Sequence, residues 1–302
     1  MSQNSLSDVM QSGNDDQASP VTADDSLSSN AGDGVLSDEL DDNILPIITD
    51  DEWPIPLYTG DIEEDLRRFD SLADADYIFG KLSTTGKMPG PSFNLPASAC
   101  PTGSRLREVP GSPCSTCYAA DSFKWLKQSA KNTGTRYKLN NFAGKDVRRA
   151  NALRLHRLRD RLWVPAMVYA MLHGEGGFGV GWMRWMSSGD VQSLNHLKNI
   201  LLVAQYTPET SHWLPTMERK WVQQVSPPSN LVIRVSGARI DGVIPNGIDF
   251  TSTISTALHP SHGGFRCPAA TNQEYACGTC RACWEPEVTH IEYYQKQLIP
   301  KV

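Results

Sequence analysis

The chain has 302 residues, 39 % of them apolar and 21 % charged, which is material for one or two domains with a buried core. Charge is split along it: residues 1–66 carry 17 Asp or Glu and no Lys, Arg or His, which leaves 17 acidic against 28 basic residues in 67–302, a net of +11. No run approaches the roughly 18 apolar residues of a membrane span, and the first ten residues lack the basic and apolar regions of a secretory signal.

A reducing, intracellular compartment is therefore expected, specifically the cytoplasm. There, seven cysteines argue for metal or catalysis rather than disulfides, and the odd count fits poorly with full pairing. The cationic body would attract polyanions such as nucleic acid or an anionic substrate, while the acidic tail would either keep the body soluble or meet a protein partner.

Residues 1–66 are rich in Ser, Asp, Asn and Gly and are expected to be disordered, because they cannot bury enough apolar surface to offset ordering entropy. Trp53 to Tyr58 is the exception, a segment fit to dock on the body or on a partner. Helical periodicity is weak over 61–72, and 78–99 reads as loop and extended chain. Residues 136–172 read as helix, with Arg148, Arg149, Arg154, Arg157, Arg159 and Arg161 forming a solvated basic face.

Gly181 to Met186 reads as a buried strand, followed by the turn Ser187-Ser188-Gly189-Asp190 and a helix with Leu194, Leu197, Ile200, Leu201 and Ala204 on its apolar side. Asp190 is the expected N-cap. His212 to Thr216 suggests a short strand, Glu218 to Trp221 a helical turn, and Leu231 to Ser236 the clearest strand of all. Strands alternating with helices predict an α/β fold with a parallel sheet.

The cysteines carry the chemistry. Cys267, Cys277, Cys280 and Cys283 form a C-x9-C-x2-C-x2-C run, which puts three thiolates on one tight loop and a fourth ten residues upstream. Ferredoxin-type [4Fe–4S] clusters use that close spacing, whereas zinc ribbons use separated pairs. A closed four-thiolate cluster is the first choice, with structural zinc as the alternative.

Cys100, Cys114 and Cys117 form a C-x13-C-x2-C set. Three thiolates on a cubane leave one iron open to a ligand. The alternative is a zinc site completed by His156, His196, His259 or His262.

Around these cysteines the chain resembles the phage gene product 88 family. The resemblance lies in Gly86-Lys87-Met88-Pro89, Cys100-Pro101, Cys114-Ser115-Thr116-Cys117-Tyr118-Ala119, Arg184-Trp185-Met186-Ser187-Ser188-Gly189-Asp190 and Cys277-Gly278-Thr279-Cys280-Arg281-Ala282-Cys283-Trp284. It covers roughly 80–290 and implies a phage or prophage origin, hence the cytoplasm of an infected bacterium.

More remotely, Cys114-x2-Cys117-Tyr118 is similar to the second half of the three-cysteine loop of radical S-adenosylmethionine enzymes, although 13 residues stand where that family has three. This similarity implies a partial (β/α) barrel with the three-cysteine loop after its first strand. It also implies S-adenosylmethionine as a cofactor, with Tyr118, Ser188, Gly189 and Asp190 near it and the Asp190 carboxylate on its amino group. Helix capping is the alternative role for Asp190. Arg184, Arg234 and Arg239, at or near strands, would meet an anionic substrate or the cofactor carboxylate.

The expected organisation is thus an acidic tail over 1–66, an α/β core with the three-cysteine site over 67–258, and a four-cysteine metal-binding segment over 259–302. The alternative to an enzyme is a zinc or iron–sulfur protein that binds nucleic acid or a host protein.

Overall fold

The computed structural model describes residues 61–84, 86–117, 119–120, 145–174, 181–257, 262–270 and 276–295, with Trp53 and Thr59. All of these lie in the contact unit Asp42–Val302, and a second unit, Met1–Asp41, lies outside them. In chain order the elements are α1 (Ile62–Leu66), α2 (Leu72–Phe79), β1 (Ser92–Phe93), α3 (Pro101–Leu106), α4 (Lys145–Arg157), α5 (Trp163–His173) and β2 (Gly181–Trp185). There follow α6 (Leu194–Tyr206), β3 (Thr210–Thr216), α7 (Arg219–Val222), β4 (Leu231–Ile240), β5 (Thr251–Ser255), β6 (Phe265–Arg266) and β7 (His290–Tyr294).

The seven strands make one sheet in the order β1-β2-β3-β4-β5-β7-β6, and every neighbouring pair is parallel. The expected α/β class holds. Among the described residues no ladder joins β1 to β6. The segment 259–302 supplies two strands of this same sheet, with the four-cysteine loop as the crossover between them.

Alternation along each strand sorts the side chains onto two faces. Met183, Trp185, Leu214, Leu231 and Ile233 point to one face, where they pack with Phe79 of α2, Trp163 and Met167 of α5, and Leu197 and Ile200 of α6. Trp182, Trp213 and Tyr293 point to the other, where they meet Met88, Cys283 and Trp284. The helices therefore take one face of the sheet and the four-cysteine loop takes part of the opposite one. Both faces of a parallel sheet need cover, and this division supplies it.

Several expectations change in detail. Trp53 is buried and stacks on His196 of α6 at 5.6 Å, so the acidic region meets the body there. Ordered helix begins before residue 66: Asp61 caps α1 by accepting from the amides of Glu63 and Glu64. Within the stretch read as one helix, α4 and α5 are separate, because the Asp160 carboxylate accepts the Leu162 amide in a turn between them. Pro165 lies in the first turn of α5, where its missing N–H removes no helical bond.

Arg154 is not on a solvated face. It is buried and donates to the carbonyls of Gly80 and Lys81 and to Asn151, and burial pulls its pKa down to about 10. Among the described residues, no helix is long and apolar enough to cross a membrane.

Candidate metal centres

The loops that follow β1 and β2 are fastened to each other. Leu95 donates its amide to the Ser188 carbonyl at 3.0 Å, the Ser188 hydroxyl returns a bond to the Leu95 carbonyl at 2.9 Å, and the Ser187 amide donates to the Asn94 side chain at 2.8 Å. Gly189 sits at φ +79°, and a Cβ there would lie 2.5 Å from the Leu95 Cβ, so only glycine allows this approach. Beyond the joint, a 3-10 turn over Ala97–Ala99 delivers Cys100 to the start of α3, with Pro101 in the first turn.

Three acceptor groups from neighbouring loops fix this region. Asp190 does not cap α6. The cap is Ser193, whose hydroxyl accepts the His196 amide. The Asp190 carboxylate instead accepts from Thr216 Oγ1 at 2.6 Å, the Met217 amide at 2.9 Å and the Val191 amide at 2.8 Å, which ties the loop after β2 to the end of β3. Glu218, also buried, accepts from the amide and hydroxyl of Thr102 at 2.7 and 2.9 Å and so anchors α3. Gly111 accepts the Ile240 amide from the end of β4.

Cys114 lies in a 3-10 turn over Pro113–Thr116 that Ser112 caps, and Cys117 closes that turn. Beside it Thr116 takes a bond from Gln295, just after β7. The three-cysteine segment thus lies across the carboxyl ends of the strands, the edge at which open parallel sheets bind ligands.

Cys100, Cys114 and Cys117 come together there. A Cβ on Gly103 would stand 3.6 Å from the sulfurs of both Cys100 and Cys114. Burial pushes the Cys100 thiol well up, the Asp190 carboxylate adds to this, and the other two cysteines add further. Cys114 is raised by burial and then by Cys117. Arg107 opposes both shifts, and its buried Nε has no hydrogen-bond partner among the described residues. Burial likewise lifts the Asp190 carboxyl, to about 7, against the three bonds it accepts.

The four-cysteine loop is pinned at many points. The Cys267 amide donates to the Glu292 carbonyl of β7 at 3.0 Å, and the Cys277 amide to the Lys87 carbonyl at 2.9 Å. Trp284 Nε1 reaches the Met183 carbonyl of β2 at 2.9 Å, and Cys283 Sγ lies 3.4 Å from the Tyr293 hydroxyl.

Arg234, fully buried on β4, donates Nε to the Cys283 carbonyl at 3.0 Å and Nη2 to the carbonyls of Ala282 and Glu285 at 2.9 and 3.0 Å. Burial raises the thiols of Cys267, Cys277 and Cys283, the last to about 12, and neighbouring cysteines raise all three further.

All seven cysteines are free thiols. Among the described residues, no group of three or more His, Cys, Asp or Glu side chains is arranged to hold a single metal ion. Each set is therefore a gathering of thiols rather than a closed ligand sphere. The donor chemistry suits a metal: the raised thiols of Cys100, Cys114, Cys267, Cys277 and Cys283 would give up their protons when a cation takes the proton's place.

Of the histidines considered as a fourth ligand, His156 is exposed on α4, His196 Nδ1 accepts the Gln192 amide, and His262 bonds the Gly242 carbonyl. His259 and Tyr118 lie outside the described residues. Arg239 is exposed at the end of β4. Sequence reasoning missed Arg107 and Glu218, which no local motif marks.

A family model described as Gene product 88 matches residues 72–286, a span that contains all seven cysteines. The chain belongs to the gene product 88 family. No curated protein and no solved structure matches it. The features that the family match spans are therefore β1 to β6, both thiol gatherings, and the fastened loops after β1 and β2.

Proposed function

We propose that this gene product 88 protein is a phage-encoded iron–sulfur protein with two cysteine-ligated clusters. Cys100, Cys114 and Cys117 would hold an open [4Fe–4S] cluster, and Cys267, Cys277, Cys280 and Cys283 a closed one. The observation that carries the reading is the sorting of every cysteine in the chain into two partly enclosed gatherings. A guanidinium with a nitrogen that has no partner among the described residues attends each: Arg107 at the first, Arg184 and Arg234 at the second. Cations placed beside these thiols suit clusters that are anionic once the thiols ionise.

The finer reading is an enzyme that resembles the radical S-adenosylmethionine class. It is supported by the parallel sheet with helices on one face, by a three-cysteine segment that follows the first strand, and by a Gly-Asp turn that follows the second strand beside Cys100. Bound at an open iron, S-adenosylmethionine would supply one-electron chemistry. The chain's own part would be to present Cys100 on the joint between Leu95 and Ser188. The Asp190 carboxylate accepts three bonds of the roughly four it can take, which leaves one acceptor position.

The test is iron, zinc and acid-labile sulfide analysis with absorption spectra on protein purified without oxygen. About eight irons and eight sulfides per chain, falling to about four of each in Cys114→Ser/Cys117→Ser, are the expected result. About two zincs without sulfide would overturn it. S-adenosylmethionine binding, read by calorimetry, should vanish in Cys114→Ser/Cys117→Ser and survive Cys280→Ser. Binding that ignores the first pair would remove the enzyme reading and leave the clusters.

A further inference from the structure

Two arginines lie under the four-cysteine loop, and their surroundings differ. Arg234 spends Nε and Nη2 on three loop carbonyls, which makes it a clamp on the backbone. Arg184, on β2, holds no loop carbonyl. Its guanidinium stacks over the Trp213 ring at 4.6 Å, its Nη1 lies 3.2 Å from Met88 Sδ, and its buried Nε has no hydrogen-bond partner among the described residues.

Its neighbours place it against the thiols. Met88 and Trp213 pack in the same cluster as Cys283 and Trp284, and Trp284 is bonded to the carbonyl of Met183, the residue before Arg184. Lys87, adjacent to Met88, accepts the Cys277 amide. Of the two arginines, Arg184 is thus the one held free of backbone clamping, against Met88 and Trp213, two side chains that pack with Cys283.

We infer that Arg184 is a positioning residue that sets the reduction potential of the four-cysteine cluster by facing its thiolates with a fixed, partly desolvated positive charge. The inference rests on the iron–sulfur reading of that site. A closed four-thiolate cluster is anionic and becomes more so by one charge on reduction, and cluster potentials follow net charge and hydrogen bonds to sulfur. A guanidinium alongside therefore favours the reduced state. Its Trp213 platform and the Met88 contact hold it in place without neutralising it, and the unpartnered Nε leaves a donor for a cluster sulfur. Such outer-shell partners tune the metal site they surround.

The experiment is a redox titration of the full-length chain, purified without oxygen, with Arg184→Met, Arg184→Gln and Arg184→Lys beside the wild type. It follows the cluster signal that survives Cys114→Ser/Cys117→Ser. Removal of the charge should lower the reduced-to-oxidised ratio at a fixed potential about tenfold, a downward shift of about 59 mV for one electron. Lys should restore most of it.

An intact cluster whose potential ignores Met and Gln overturns this inference and leaves the iron–sulfur reading standing. So does a Lys variant that shifts as far as Met, because charge is then not the agent. If the Met variant fails to assemble a cluster, the Gln variant decides by the same criterion. A wild-type chain with zinc and no sulfide overturns both readings together.

Discussion

Replacing Arg234 with Met tests whether the four-cysteine loop is held from below by the sheet. The side chain is fully buried and gives three hydrogen bonds of 2.9–3.0 Å to the carbonyls of Ala282, Cys283 and Glu285. Met fills similar volume and donates nothing, so three carbonyls lose a charged donor at once. Bonds to a charged group are worth about 1.5–3 kcal/mol each. The sum is offset by relief of the arginine's own desolvation, which already lowers its pKa.

The expected loss is about 4 kcal/mol, a large share of the roughly 5–15 kcal/mol that stabilises a native domain. With a urea slope of about 3 kcal/mol per molar, the midpoint should fall by about 1.3 M. Emission from the Trp182, Trp213 and Trp284 group should shift to the red as Trp284 leaves its contact with Met183. A loss below about 1 kcal/mol with unchanged emission would refute the reasoning. It would mean that the loop's own turns and Trp284 suffice.

Burial pulls His196 and His212 down to about 3, and each Nδ1 accepts a donor, the Gln192 amide and Trp185 Nε1 respectively, so neither ring can take a second proton in place. A depressed folded pKa gives stability that is present above the unfolded value of 6.5 and lost as pH falls. Each ring should therefore remove about 2 kcal/mol between pH 6.5 and 5. Asp190, lifted to about 7, acts in the opposite sense over that window. The measurement is therefore a difference: His212→Asn should lose about 2 kcal/mol less than the wild type on that acidification, and equal losses would show that His212 is protonated in the folded chain.

Glu218→Ala removes both bonds to Thr102 and should cost about 2 kcal/mol. It should also speed alkylation of Cys100 in metal-free chain, read by mass spectrometry, more than that of Cys280.

What the sequence revealed was what short-range pattern encodes. Leu231 to Ser236 reads as a strand because apolar residues run on through a segment covered on both faces, and it is the middle of the sheet. The two cysteine sets were visible because their members lie close in the chain. β1 and β6 were not, since two residues in a Gly, Pro and Ser setting show no periodicity. The N-cap of α6 was misplaced because Ser187, Ser188, Asp190 and Ser193 are all good caps. The choice fell to Thr216, 26 residues on, which claims the Asp190 carboxylate and leaves the helix to Ser193.

The same logic explains why the residues that build the two cysteine regions were harder to find than the cysteines. Glu218 anchors α3 from 116 positions away, Arg234 clamps carbonyls 48 to 51 positions away, and Ser188 joins Leu95 across 93. None of these bonds has a local signature, because each satisfies a backbone group that only the folded sheet brings near. Burying a carboxylate or guanidinium is unfavourable unless its partners are supplied. These side chains therefore record where the fold spends its polar contacts: on the loops that carry thiols. Asp190 ties the loop after β2 to the end of β3, Glu218 fixes the three-cysteine segment at Thr102, and Arg234 fixes the four-cysteine loop from the middle of β4. The thiol-bearing backbone is held by bonds that need no ligand, and burial raises the Cys100, Cys267 and Cys283 thiols within it.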